Sequence, residues 1–491
     1  MASFFIEQFG CRATQADGAT LERQLRERGC RLASEADVAD VVVLNTCTVT
    51  AAADAQARES IRKIHARNPA ARLIVTGCYA QRAPEELAAL PGVSWVVGNS
   101  HKPQIPQLIE TAVTNRSAQV HGSGFVPTSA LDSDPLSLLH APAKILTGNI
   151  FEQTALLAAP VFGGEGNHTR PTLKIQDGCN SRCSYCVIPF VRGKSRSLPP
   201  TQVIAEIQRL TVGQAFLPVP ENGTDQYEIS ERRNGTLGPL EYSQSRSARE
   251  IVLSGINLGT YGRDLSPRFG FNDLVRRILD ETTIERLRIS SIEPLDVTQD
   301  LIALFASTDR MAQHFHMPLQ SGSDRILAAM HRWYRAEHYA RRVELIREHL
   351  PHAAIGADVI AGFPGETQAD HDATLAFVER LPFTYLHVFS FSSRPGTRAE
   401  KSPDHLPAQV VKQRARELRT LGEDKAAAFR RSQIGRTLRV LTLRRDEADS
   451  ESTPAISTNY LRTAVVGQFE ANRWLDIRYS GEGVQLVSPL S

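Results

Sequence analysis

Two blocks of this chain alternate short, wholly apolar runs with helical stretches, and that alternation leaves few folds open. In the first block "FFIEQFG", "VVVLNTC", "RLIVTGC" and "SWVVGN" are rich in β-branched residues, the pattern of strands buried on both faces. Helical stretches separate them over 14–28, over 50–67, and from Pro84, with Glu85 and Glu86 in its first turn. Strand, helix, strand implies a parallel α/β sheet. The second block opens at Leu173, with "LKIQDGC", "EIVLSG", "RLRISSI", "HFHMPLQ", "AIGADVIAGF" and "TYLHVFSF" as strands and "FNDLVRRILDE", "AEHYARRVELIREHL" and "ADHDATLAFVER" among its helices. Units of this kind predict a (β/α) barrel or partial barrel, with chemistry at the carboxyl ends of its strands.

The pattern lapses in three places. Residues 116–168, rich in Gly, Ser, Pro and Ala, read as a linker. After the helix "QVIAEIQRL", residues 212–247 lack either periodicity and are too polar to offset the entropy of ordering, so a disordered insertion is expected there. From Arg431, "TLRVLTL", "NYLRTAVVG", "RWLDIRYSG" and "GVQLVSP" are short strands between turns, which predict a small antiparallel β-barrel. The expected organisation is an N-terminal α/β domain over 1–115, the linker 116–168, a barrel core over 169–400, a helical connector over 401–430 and the terminal barrel over 431–491.

No apolar run approaches the roughly 20 residues that span a bilayer, and the first residues, "MASFFIEQFGCRATQADG", lack the basic and apolar regions of a secretory signal. A cytoplasmic protein without a membrane partner is expected. The net charge of +2 says little, but residues 407–446 hold eleven Lys/Arg against four Asp/Glu, suited to a polyanionic partner or to a solvated helix face.

Seven cysteines, an odd number, favour thiolate ligands over a disulfide framework. Cys11, Cys47 and Cys78 fall at or just beyond the carboxyl ends of three strands, the edge where open α/β sheets bind ligands, so they can converge. Cys30, at a helix end, has no such placement. "DGCNSRCSYCVIPF" sets Cys179, Cys183 and Cys186 just after the first barrel strand, a C-x₃-C-x₂-C run. A structural zinc site takes four protein ligands. Three thiolates suit an iron–sulfur cubane that keeps one iron open.

That loop resembles the radical S-adenosylmethionine (SAM) enzymes. The resemblance implies a 4Fe-4S cluster on Cys179, Cys183 and Cys186, whose open iron binds SAM and whose electron splits it into methionine and a 5′-deoxyadenosyl radical. "NTCTVTAAADAQARESIRKI", "VTGCYAQ", "ISSIEP", "HMPLQSGSDRIL" and "DVIAGFPGET" narrow the likeness to the methylthiotransferase family, over 4–115, 170–210 and 249–400 with a terminal barrel like a TRAM domain. By that resemblance Cys11, Cys47 and Cys78 bind a second 4Fe-4S cluster. One SAM methylates a sulfur held there, and another supplies the radical. The first motif departs from the family: in "GCRATQADG", Thr14 stands where relatives carry Asn and Gly18 where they carry Ser.

Tyr185, Glu293 and Gln320, polar residues near barrel strand ends, are candidates for contacts to SAM. Arg430, Arg431, Arg436 and Arg439 are candidates for RNA phosphates. "CVIPFVRGKSRS" and "HVFSFSSRPGTRAE" look most like the branch that thiomethylates threonylcarbamoyladenosine beside the tRNA anticodon. An electron donor such as flavodoxin or ferredoxin is then expected. Isopentenyladenosine in tRNA and an aspartate of a ribosomal protein are the family's other substrates. A non-catalytic iron–sulfur electron carrier is the alternative from another class, although such carriers use four ligands per cubane.

Overall fold

The computed structural model describes residues 2–110, 143–153, 156–157, 169–212, 247–445, 451–481 and 484–488. The expected insertion, 212–247, lies outside them except for its two end residues. Its flanks meet, since Ala248 N–H donates to the Leu210 carbonyl at 2.8 Å.

Six parallel strands form the first sheet, in the order β2-β1-β3-β4-β5-β6. They are β1 (Ser3–Gln8), β2 (Arg31–Leu32), β3 (Val41–Thr46), β4 (Arg72–Gly77), β5 (Val93–Gly98) and β6 (Lys144–Leu146). Side chains alternate between its faces. Val41, Val43 and Ile74 pack with Leu21 and Leu25 of helix α1 (Arg12–Glu27), whereas Val42, Leu44, Leu73 and Val75 pack with Ala57, Ile61 and Ile64 of α2 (Ala51–Arg67). Thr50 caps α2 by accepting from Ala53 N–H at 3.2 Å. Two short helices, α3 (Cys78–Arg82) and α4 (Pro84–Ala88), follow β4, the latter with proline at its first position as expected. Strand β6 comes from the stretch read as linker. Its three residues are too few to display a period in sequence, and it is pairing with β5 that makes them a strand.

The second unit holds β7 (Thr172–Lys174), β8 (Gln176–Asp177), β9 (Arg196–Ser197), β10 (Glu250–Ser254), β11 (Arg286–Ile289), β12 (His314–His316), β13 (Ala354–Ala361) and β14 (Tyr385–Ser390). Parallel sheets β11-β10-β7 and β12-β13-β14 join through a bridge between Leu287 and Met311, giving the six-stranded partial barrel the sequence predicted. Its helices are α5 (Ile188–Arg192), α6 (Pro200–Val212), α7 (Phe271–Glu281), α8 (Gln299–Ala306), α9 (Asp324–Ala329), α10 (Ala336–His349) and α11 (Gln368–Arg380). One core joins them: Leu173, Ile251, Leu287 and Ile355 pack with Ile207, Leu274, Ile278 and Ile346. Each such side chain contributes about 1.5–3 kcal/mol by leaving water.

Helix α12 (Ala408–Gln433), of 26 residues, lies along β14 and leads to the third unit. There β15 (Thr437–Thr442), β16 (Ser452–Ser457), β17 (Arg462–Val466), β18 (Trp474–Tyr479) and β19 (Val484–Ser488) form an antiparallel sheet in the order β17-β16-β15-β18-β19. The sheet curls until its outer strands approach, a half-barrel. No described helix is long and apolar enough to cross a membrane.

Both outer units dock on the barrel, and α1 of the first also lies against β7. At the carboxyl ends of the strands, Asp54 of α2 pairs with Arg82 at 3.2 Å and with Arg394, beyond β14, at 2.7 Å. At the amino ends, Arg288 donates to the carbonyls of Ser457 and Thr458, and Trp474 Nε1 donates to Glu285 at 2.6 Å.

Candidate active site

Three strand ends deliver the first cysteine set. Cys11 caps α1, Cys47 follows the last residue of β3, and Cys78 follows the last residue of β4. Glycines allow the approach. Gly10 has φ +91° and a Cβ there would lie 2.3 Å from Cys47 Cβ, while Gly77, at φ +103°, would strike the Thr46 carbonyl oxygen at 2.2 Å. Cys47 and Cys78 are buried, Cys11 is exposed, and all are free thiols. Burial pushes Cys47 up to about 12, with Cys78 and Cys11 adding to it. Burial also raises Cys78, against the charge of Arg192. Mutually interacting thiols with no disulfide fit a soft metal centre that would deprotonate them. The departure at Thr14 touches this set, with its hydroxyl 3.5 Å from Cys11 Sγ. Cys30 packs elsewhere, beside the core under α1.

One loop, between β8 and α5, delivers the second set. Burial pushes Cys186 up to about 12, helped by Cys183 and Cys179, so these thiols also share one neighbourhood. Ser181 N–H donates to Cys179 Sγ at 3.4 Å, and Arg332 Nη1 donates to Cys183 Sγ at 3.4 Å. Arg332 also pairs with Glu293, a carboxyl that burial raises and Arg332 lowers. Tyr185 meets Phe363 edge to face at 6.5 Å, and burial pushes its phenol up. Tyr185 and Glu293 therefore stand at the cysteine loop. Gln320, with φ +67°, bridges to Val359 through its backbone and makes no bond to that loop among the described residues.

A buried ionic network joins the sets. Asp17 of α1 binds Lys102 at 2.9 Å, Arg192 at 3.2 Å and Lys174 of β7. Asp177, two residues before Cys179, accepts from Arg192 at 3.0 Å on both oxygens and from Lys174 at 3.1 Å. Burial would raise the Asp17 carboxyl, but Lys102, Lys174 and Arg192 outweigh it and hold the group at about 2.

Inside the barrel lies a polar chamber that the sequence analysis did not single out. His316 Nε2 meets Asp358 at 2.9 Å, His387 Nδ1 meets the same oxygen at 3.2 Å, and the Tyr385 hydroxyl lies 2.7 Å from His314 Nε2 and 2.9 Å from His316 Nδ1. Tyr460, from the turn between β16 and β17, stacks on His314 with ring centroids 4.1 Å apart, and Arg288 lies over Tyr460 at 5.3 Å. Burial, then Arg288, His316 and Arg12, keeps His314 far below its usual pKa, hence neutral. Arg12, the residue after Cys11, is half-buried within electrostatic reach of Tyr460, Arg170, Tyr385 and Arg288. The signal was polar residues at alternate positions of apolar strands, His314 and His316 on β12 and Tyr385 and His387 on β14, which place them on one inward face.

The four arginines suggested for RNA sit at the barrel's amino end. Arg430 and Arg431 are exposed at the end of α12, Arg436 is half-buried, and Arg439 pairs with Glu285 at 3.8 Å and lies over Trp474 at 5.0 Å.

A partial barrel with a three-cysteine loop after its first strand, faced by a second cysteine set, defines a radical SAM enzyme. Residues 244–378 match the radical SAM superfamily, and residues 3–98 match an uncharacterized protein family, UPF0004. The fold resembles the radical SAM methyltransferase TsrM from Kitasatospora setae, with a TM-score of 0.53 and 14% identity over 82% of this chain and 77% of that one. The threonylcarbamoyladenosine tRNA methylthiotransferase MtaB of Aquifex aeolicus is 33% identical over 91% of this chain and 94% of its own length. The tRNA-2-methylthio-N(6)-dimethylallyladenosine synthase of Syntrophobacter fumaroxidans is 32% identical over 86% and 80% respectively. This chain belongs to the radical SAM tRNA methylthiotransferases, transferases that use SAM and iron–sulfur cofactors.

Proposed function

We propose that the chain converts threonylcarbamoyladenosine beside the tRNA anticodon to its 2-methylthio derivative, using two 4Fe-4S clusters. Cys179, Cys183 and Cys186 would hold one and Cys11, Cys47 and Cys78 the other. Iron–sulfur chemistry at Cys179, Cys183 and Cys186, once loaded, would supply the electron that cleaves SAM. The chain's own part is to bind, orient and exclude water. Arg332 donates toward Cys183 and is itself held by Glu293. Tyr185 closes the loop against Phe363. Flavodoxin or ferredoxin would bring the electron, in the cytoplasm, and Arg430, Arg431, Arg436 and Arg439 would neutralise tRNA phosphates.

One observation carries the choice of substrate. Arg12 has no hydrogen-bond or ion-pair partner among the described residues, although its guanidinium is half-buried beside Arg170 and Arg288. The carboxylate of Glu250 is already shared between Arg170 at 2.8 Å and Arg288 at 2.7 Å, and that of Asp358 between His316 and His387. A half-buried cation beside two other arginines is favoured by an anion. The threonylcarbamoyl group ends in a carboxylate, whereas an isopentenyl group is apolar and would leave Arg12 unpaired. The Tyr460–His314–Tyr385 stack offers flat faces beside it, the surface on which a splayed RNA base stacks.

Anticodon stem-loops carrying threonylcarbamoyladenosine or isopentenyladenosine, assayed by nucleoside mass spectrometry, test this. The protein should thiomethylate the first in preference. Arg12→Gln should slow that reaction about 10- to 100-fold, the worth of a hydrogen bond to a charged group, with RNA-free SAM cleavage intact. Equal turnover of the two loops, or an Arg12→Gln variant as fast as wild type, defeats the proposal.

A further inference from the structure

We propose that Trp333 and the cations around it form the docking face for a small acidic flavoprotein, a flavodoxin, which passes electrons to the set of Cys179, Cys183 and Cys186. Trp333 is 79% exposed, the most exposed of the large hydrophobic side chains among the described residues. An indole left in water is a large unburied surface of the kind enriched where one protein meets another. The cysteine loop sets its place. Arg332, the preceding residue, donates to Cys183 Sγ at 3.4 Å. Ser184 N–H donates to the Met330 carbonyl at 3.0 Å, and Ser184 Oγ to the Ala329 carbonyl at 2.8 Å. Ala399 N–H donates in turn to the Ser184 carbonyl at 2.9 Å. Three segments, 181–186, 329–335 and 398–401, thus lie together at these thiols, and the indole stands out from them.

The charge on these segments suits an acidic partner. Arg182, Arg335, Arg398 and Lys401 are exposed, and none has an ion-pair partner among the described residues. The carboxylates beside them are engaged. Asp324 accepts from Ala336 N–H at 2.7 Å, Glu400 accepts from Gly396 N–H at 2.7 Å, and Glu337 pairs with Arg341 at 3.6 Å. Arg182 lies over the rings of Phe151 and Phe190, each at 5.8 Å, and Phe190 adds a second exposed aromatic at 48%. Cations about an exposed tryptophan steer an acidic partner to the site, and the indole then anchors it. RNA would also meet cations. The stacked rings suited to a substrate base, Tyr460, His314 and Tyr385, belong however to the chamber inside the barrel, whereas Trp333 lies in the connection between the outer helices α9 and α10. The indole is therefore left for a protein.

The location gives the partner a task. An iron–sulfur group on Cys179, Cys183 and Cys186 takes its electron from outside the chain, and transfer weakens steeply with distance, so the donor has to dock at the loop itself. The reduced flavin gives up one electron, the iron–sulfur group accepts it, and no bond forms between the two proteins. The edge of a flavin ring, flat and aromatic, complements an exposed indole. A ferredoxin, whose cluster offers no aromatic face, matches it less well. The inference rests on the 4Fe-4S cluster proposed above for these three cysteines and not on the choice of tRNA substrate.

Calorimetric titration of a flavodoxin into the reconstituted full chain tests the face by binding alone. Trp333→Ala should raise Kd at least about tenfold. Arg335→Glu combined with Lys401→Glu should raise it about tenfold at low salt, and by less at high salt, where exposed charges are screened. Formation of 5′-deoxyadenosine driven by reduced flavodoxin should fall in parallel. The same reaction driven by dithionite should keep its wild-type rate, which also shows that the variants fold and hold their iron. An unchanged Kd in both variants overturns the docking face. So does a loss of tRNA affinity in Trp333→Ala as large as the loss of flavodoxin affinity, which would make the face an RNA site. Binding of a ferredoxin through Trp333, with none of flavodoxin, overturns the choice of carrier. A chain that docks flavodoxin through these residues and methylthiolates isopentenyladenosine alone upholds this inference and defeats the reaction proposed above, so the two failures are distinct.

Discussion

The two cysteine sets are brought together by opposite routes. Cys179, Cys183 and Cys186 come from one loop, and their spacing alone brings them together. Cys11, Cys47 and Cys78 come from three strand ends and meet only because β1, β3 and β4 are neighbours in one parallel sheet. Each set has one buried arginine. Arg332 donates directly to a sulfur and is balanced by one carboxylate, Glu293. Arg192 touches no sulfur, is balanced by Asp17 and Asp177, and lowers Cys78 through space. The loop set is thus a local device whose sulfurs accept directly from Ser181 and Arg332, whereas the sheet-edge set depends on the interface between two units.

The strongest way to break this comparison is to remove one set at a time. With two three-thiolate cubanes the reconstituted protein should hold about eight irons, and either triple Cys→Ala variant about four. Loss of Cys179, Cys183 and Cys186 should abolish 5′-deoxyadenosine formation. Loss of Cys11, Cys47 and Cys78 should leave it running and abolish methylthiolation. Full iron in either variant, by colorimetric assay, ends the two-set reading.

A second test exchanges the arginines. Arg192→Gln leaves two buried carboxylates short of a partner and should cost on the order of 3–5 kcal/mol in denaturant unfolding. Arg332→Gln should spare most of that stability and slow SAM cleavage by about two orders of magnitude, roughly 2.7 kcal/mol of barrier. If both variants lose stability alike and cleave SAM alike, the distinction between local and interfacial devices fails.

The interface also predicts a pH dependence. Asp17 is held at about 2 against an ordinary 3.8, so its contribution to stability is present above about pH 4 and drains away as pH falls toward 2. The amount is about 2 kcal/mol. Asp17→Asn should be less stable at neutral pH and should lack this part of the acid limb. An acid limb of the same slope in wild type and variant would detach Asp17 from the joint.

The smallest effect lies farthest from either set. Arg430→Gln and Arg431→Gln should each reduce the salt slope of tRNA binding by about one unit per lost phosphate contact. Titration at several salt concentrations reads it. An unchanged slope would assign both arginines to ordinary solvent exposure.

Much of this was legible in the order of residues. The strand–helix alternation gave the first sheet and the six-stranded partial barrel, because burial on both faces leaves continuous apolar runs. The stretch after residue 116 was harder, since a strand as short as Lys144–Leu146 exists only through its neighbour. At the site, the spacing of Cys179, Cys183 and Cys186 and the strand-end placing of the other three were visible. Arg12, His314, His316, Asp358, Tyr385 and Tyr460 were not, for they come from β12, β13, β14, α1 and a turn of the half-barrel.

The sequence by itself determined which strands form, where the thiols stand along them, and the family, since these follow from local period and short motifs. Tertiary structure alone decided that the half-barrel docks at the amino end with Tyr460 against the chamber, that Arg12 stands there with no ion-pair partner among the described residues, and that Asp17 and Asp177 share Arg192. The physical reason is range. Hydrophobic periodicity is written within a dozen residues, whereas a counterion or a cavity wall is set by side chains that can lie 175 positions apart, as Asp17 and Arg192 do.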